Sequence, residues 1–124
     1  MSLVDVTNIT VKKYRLICIV QVDGEKYSNQ QLSKKVLDKL PNLKLHKCKN
    51  SQGKKFSEVM DSTSVPHLFE HMVIDIQSCD SSKALFGTSQ WIDKEKGIAK
   101  VELSYEDDVK CLNAIKKAAE ILNS

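Results

Sequence analysis

No part of this 124-residue sequence is both long and apolar. Its longest apolar run, Leu16-Ile17-Cys18-Ile19-Val20, falls far short of the ~20 residues that cross a bilayer. The amino terminus lacks the charged-then-apolar pattern of a secretory leader. A cytoplasmic protein with no membrane partner is therefore expected. The four cysteines, Cys18, Cys48, Cys79 and Cys111, form no C-x-x-C pair, so they read as small buried hydrophobes rather than a disulfide framework. Aromatic residues are scarce at 6%, and no nucleic-acid motif accompanies the lysines. Clusters such as Lys44-Leu45-His46-Lys47-Cys48-Lys49 thus read as a solvated face, and no nucleic-acid partner is expected. No glycine-rich phosphate loop is present, which excludes an ATP-using ligase. Internal repeats and linkers are also missing, so residues 1–124 are expected to form one domain, with 1–10 loosely ordered.

What is present reads as alternating strands and helices. Tyr14 to Val22 is rich in β-branched residues and suits a central strand covered on both sides, ended by the turn pair Asp23-Gly24. Ser28-Asn29-Gln30-Gln31 resembles a capping box, after which Leu32, Val36, Leu37 and Leu40 recur at helical spacing until Pro41. Asn42 to Cys48 suggests a short strand, and Lys49 to Lys55 a loop. A second helix begins near Thr63 or Ser64, whose hydroxyls are good caps. Two extended segments follow, about Lys83–Ile92 and Ile98–Tyr105, joined at Asp93–Gly97. Ala99, Val101, Leu103 and Tyr105 alternate with Lys100, Glu102 and Ser104, so this strand covers a core on one side. A last helix runs from about Asp107 to Leu122, with Val109, Leu112, Ile115, Ala119 and Leu122 facing inward. The predicted fold class is α+β, with a largely antiparallel sheet packed against about three helices.

The second helix carries the chemistry. At 100° per residue, Leu68, Phe69, Met72, Val73 and Ile76 form one apolar stripe, while His67, Glu70 and His71 lie opposite. A core histidine is disfavoured, because the core-facing side is already taken. A solvated polar face stays open as an explanation, although Ile74 shares that side and suggests that it is partly covered. Side chains four apart on a helix are neighbours, so His67 and His71 can converge on one ion. His-x-x-Glu-His is also the inverted zinc-peptidase spacing, in which the glutamate activates a metal-bound water. The pattern names no third ligand. His46 is the obvious candidate, with Cys48, Glu102 and Glu106 behind it.

Two segments together are more specific than either alone. Leu40 to Cys48, "LPNLKLHKC", followed by His67 to Gln77, "HLFEHMVIDIQ", resembles the amino-terminal domain of cyanophycin synthetases. In that family a Leu-Pro-x-Leu-x-x-His-x-Cys segment precedes a His-x-x-Glu-His helix. The resemblance runs from about Leu32 through Gly87-Thr88 to the final helix. It implies Zn2+, or another divalent transition metal, held by His67, His71 and His46, with Glu70 as general base. The substrate class it implies is a peptide or an aspartate-and-arginine polymer. Two departures are visible: the loop between the motifs has only Gly53, and Gly87-Thr88-Ser89-Gln90 stands where relatives carry arginines.

Three readings follow. The first is a small zinc-dependent hydrolase of peptidase type. A second is a non-catalytic module that docks on a polymer or on a separately encoded ligase partner. A third is a closed structural zinc site with Cys48 as fourth ligand.

Overall fold

A computed structural model describes residues 2–46, 55–78 and 84–124. Four strands form one antiparallel sheet in the order β1-β2-β4-β3, with β1 at Val4–Lys12, β2 at Arg15–Val22, β3 at Gly87–Asp93 and β4 at Ile98–Ser104. Three helices complete the domain: α1 at Gln30–Lys39, α2 at Val65–Ser78 and α3 at Asp108–Asn123. The expected α+β class is the observed one.

The sheet is packed on one side. Leu16, Cys18 and Val20 of β2 and Ala99, Val101 and Leu103 of β4 are fully buried, whereas Ile17, Ile19, Lys100 and Glu102 between them are partly exposed. This corrects the expectation that β2 is covered on both faces. On the outer face Ile17 is flanked by Thr10 and Glu102, and Ile19 by Asn8 and Lys100. Long polar side chains can shield such apolar residues with their aliphatic stems.

β1 is a further difference, since residues 1–10 were expected to be loosely ordered. It pairs with β2 along its length, with a bulge between Val6 and Asn8, and Val4 is locked to the end of α3. The Asn123 side chain accepts from the Val4 amide and donates to its carbonyl, both at 2.9 Å.

Local sequence explains the helix ends. Asn29 caps α1 by accepting from the Leu32 amide at 2.8 Å, and Asp107 caps α3 by accepting from the Val109 and Lys110 amides, as short polar side chains do at helix starts. The expected strand at Asn42–Cys48 is instead a 3-10 turn over Pro41–Leu45, with 47–48 outside the described residues. Proline at its first position supplies a fixed φ and needs no amide partner there. In α3 the buried residues are Cys111, Ala114, Ile115, Ala118, Ile121 and Leu122, while Val109 is exposed. The inward stripe is therefore rotated from the one expected, and it brings the small residues Cys111, Ala114 and Ala118 into the core. Cys18 and Cys111 are free, buried thiols, each pushed up to about 12 chiefly by burial. They are inert packing groups. Cys48 and Cys79 lie outside the described residues. Among the described residues, no helix is long and apolar enough to cross a membrane.

Candidate metal centre

Two backbone ties set the start of α2. Ser28 N–H donates to the Thr63 carbonyl at 2.7 Å and Val65 N–H to the Lys26 carbonyl at 2.9 Å. The Ser64 hydroxyl then accepts from the His67 amide at 3.3 Å, and Pro66 fits the first turn because it has no N–H to leave unpaired. From there the helix runs with both faces covered. Leu68, Phe69, Met72 and Val73 sit in the core, and Glu70, His71, Asp75 and Gln77 are buried as well.

Phe56 supplies much of the cover over the histidines. It lies in a 3-10 turn at Phe56–Glu58, is itself fully buried, and stacks on His71 with ring centroids 3.9 Å apart. It also meets His67 edge to face, with ring centroids 5.4 Å apart. The Phe56 amide donates to the His46 carbonyl at 2.7 Å, so the contact that places this ring also fixes His46. The histidine side of α2 is thus neither an open surface nor part of the main core stripe.

On the sheet side, Glu70 rests against β3. An added Cβ at Gly87 would come within 3.0 Å of Glu70 Cγ, 3.2 Å of Ile74 Cδ1 and 2.9 Å of the Glu102 carbonyl oxygen. Gly87 is needed here for close approach. Ser89, two residues along on the same strand face, hydrogen-bonds the Glu70 carboxyl. Burial raises Glu70 to about 7 despite that bond, which lowers it.

Donor atoms of His67, Glu70 and His71 all lie within 4.8 Å of one another. His67 Nε2 and His71 Nε2 are 3.1 Å apart, close to the roughly 3.3 Å between two nitrogens that each sit 2.0–2.1 Å from a tetrahedral ion. Glu70 Oε2 is 4.0 Å from His71 Nε2. Burial holds His67 below its ordinary value, and it lowers His71 to about 3, with the nearby His67 and His46 adding to the effect. Both rings therefore stay neutral, the form in which imidazole ligates. The 4.0 Å His71–Glu70 contact is accordingly not an ion pair at neutral pH. Two neutral imidazoles are donors that suit zinc, with the Glu70 carboxyl beside them.

His46, expected as the third ligand, reaches the cluster from the other side of His71. Its Nδ1 is 3.2 Å from His71 Nδ1, and its Nε2 is 3.1 Å from Asp75 Oδ1. Of the alternatives, Glu102 lies on the outer sheet face, 3.2 Å from both Arg15 and Lys100, and Glu106 is exposed ahead of α3. Cys48 lies outside the described residues. Sequence reasoning missed Asp75, Thr63 and Phe56. Asp75 was within reach of it, because it extends the four-residue interval of His67 and His71. Thr63 Oγ1 sits 2.6 Å from His67 Nδ1.

Residues 19–124 match the family described as the cyanophycin synthase-like N-terminal domain. The chain belongs to this family. The match takes in the end of β2 and every later element, including His46 and the whole of α2. Among curated proteins, nothing matches the chain.

Proposed function

We propose that this member of the cyanophycin synthase-like N-terminal domain family is a zinc-dependent hydrolase of peptidase type, acting on peptides or on an aspartate-and-arginine polymer. One observation carries the reading: His67, Glu70 and His71 focus their donor atoms within 4.8 Å under a buried, neutral-imidazole environment. His67 and His71 would hold the ion through Nε2. When bound, such an ion polarises a carbonyl and lowers the pKa of its water.

The chain's own groups do the rest. Glu70, raised to about 7, is poised to accept a proton near neutral pH and return it to a leaving amine, because a general base works best with a pKa near the working pH. Gly87 and Ser89 hold that carboxyl in place from below, and Phe56 keeps water from the far side of His71. Gly87 also lines a cavity of about 440 Å³, with Lys12, Tyr14, Arg15, Phe86 and Ser104 around it.

The untagged chain should carry about one zinc under the one-site reading, measured by elemental analysis. Glu70→Gln should keep that zinc and abolish peptide cleavage. Cleavage that survives the substitution removes Glu70 from the role of base.

A non-catalytic docking module is the second reading, favoured by the hydrogen bonds in which the histidine rings already satisfy one another. It predicts polymer or ligase binding that persists in His67→Ala with no metal present.

A further inference from the structure

Five side chains stand in one hydrogen-bonded line. Thr63 Oγ1 is 2.6 Å from His67 Nδ1, His67 Nε2 is 3.1 Å from His71 Nε2, His71 Nδ1 is 3.2 Å from His46 Nδ1, and His46 Nε2 is 3.1 Å from Asp75 Oδ1. Counting protons gives the line a direction. A carboxylate can only accept, so the His46 proton sits on Nε2. Taken as a neutral imidazole, with a single N–H, His46 accepts at Nδ1 and His71 must carry its proton on Nδ1. The Nε2 of His71 is then bare, His67 donates to it from Nε2, and the Thr63 hydroxyl donates to His67 Nδ1. With three neutral rings, no other order satisfies all four contacts.

We infer that Asp75 and His46 are a positioning pair, which locks His71 as its Nδ1–H tautomer and turns its Nε2 lone pair toward the point shared with His67 and Glu70. Neither residue touches that point itself. Asp75 lies one helical turn beyond His71, as His67 lies one turn before it, and His46 bridges the turn from outside the helix. The arrangement treats the two ligating rings differently. His71 already presents a lone pair at Nε2, whereas His67 must move its proton from Nε2 to Nδ1, with Thr63 turning its hydroxyl to accept.

This assigns His46 a place behind His71 instead of the third coordination position. The tautomer stands on the hydrogen-bond geometry and on the rings being neutral; only its effect on affinity rests on the metal reading proposed above. Partners that orient a ligating histidine typically account for 10–100-fold in metal affinity.

The test uses the full chain, whose three histidines can be assigned individually. Two-bond proton–nitrogen correlation spectra of the metal-free protein should show His71 protonated at Nδ1. Protonation at Nε2 overturns the inference without any variant having to fold. Asp75→Ala should shift His71 toward the Nε2–H form and weaken zinc, measured by chelator competition, by 10–100-fold at unchanged stoichiometry, with Asp75→Glu recovering most of the loss. An affinity within twofold of wild type in Asp75→Ala would count against the pair. X-ray absorption of the zinc-loaded protein should find two imidazoles; a third, lost in His46→Phe, makes His46 a ligand and ends the proposal. Should wild type bind no zinc while His71 keeps an Asp75-dependent Nδ1 proton, the positioning pair stands and the metal reading falls.

Discussion

Gly87 lies directly against the Glu70 side chain, so close that a methyl group at Gly87 would stand 3.0 Å from Glu70 Cγ. The same methyl would meet the Glu102 carbonyl oxygen at 2.9 Å, and a backbone atom in the middle of a paired sheet cannot step aside. Gly87→Ala should therefore cost about 1–3 kcal/mol, the usual penalty of overpacking, read by chemical denaturation. Because the flexible partner is Glu70, the substitution should also displace the carboxyl. A variant as stable as wild type would show that β3 and α2 are less tightly apposed than this.

Glu70 and His71 are adjacent in sequence and burial pushes their ionisations apart, which makes stability depend on pH in two opposed ways. Glu70 titrates at about 7 when folded, against 4.5 ordinarily. Between those values the native chain holds a proton that the unfolded chain has released, so stability falls as pH rises through that window. His71 titrates at about 3 against 6.5. There the unfolded chain takes up a proton that the native chain refuses, so stability falls as pH drops from 6.5 toward 3. Glu70→Gln removes only the first effect. In chelator it should be more stable than wild type at pH 8, by on the order of 3 kcal/mol, and nearly equal to it at pH 4. An offset of the same size at both pH values would mean that Glu70 is not desolvated.

Local spacing made part of this molecule readable. The interval between His67 and His71, the alternation in β4 and the starts of α1 and α3 depend on residues a turn or two apart, and the structure keeps them, with Asn29 taking the α1 cap in place of Ser28. Features set by distant segments were harder to see. β1 has apolar residues at Val4 and Val6, then at Ile9 and Val11, and the bulge between Val6 and Asn8 shifts the alternation so that no single period runs through it. Leu43 and Leu45 mimic strand alternation where Pro41 starts a 3-10 turn. The cover over the histidines comes from Phe56, next to a polar stretch read as loop. Nothing in α2 itself announces that a ring from another segment will lie on His71.

Asn123 acts as a one-residue strand partner for Val4, occupying both its amide and its carbonyl at 2.9 Å. β1 otherwise buries little, since Val4 is its one buried residue. Asn123→Ala should loosen the start of β1 at a cost of about 1–2 kcal/mol. Hydrogen exchange checks it residue by residue: the Val4 amide should lose protection while Ile17 and Ile19, paired in the middle of the sheet, keep theirs. Uniform loss across β2 would instead mean that β1 and β2 unfold together.

Phe56 has two separable roles, filling space and facing His71 with an aromatic ring. It is fully buried, so Phe56→Ala should cost about 3–5 kcal/mol through the cavity it leaves. Phe56→Leu retains most of the volume and should cost under about 1.5 kcal/mol. What leucine cannot replace is the stacked ring 3.9 Å from the His71 centroid. In Phe56→Leu the ring protons of His71 should lose the upfield shift that a stacked aromatic imposes, while those of His46, which meets His71 at a centroid distance of 5.5 Å, move less. If the His71 shifts are unchanged in that variant, the two rings are not stacked in solution, and the cover over His67 and His71 must come from another group.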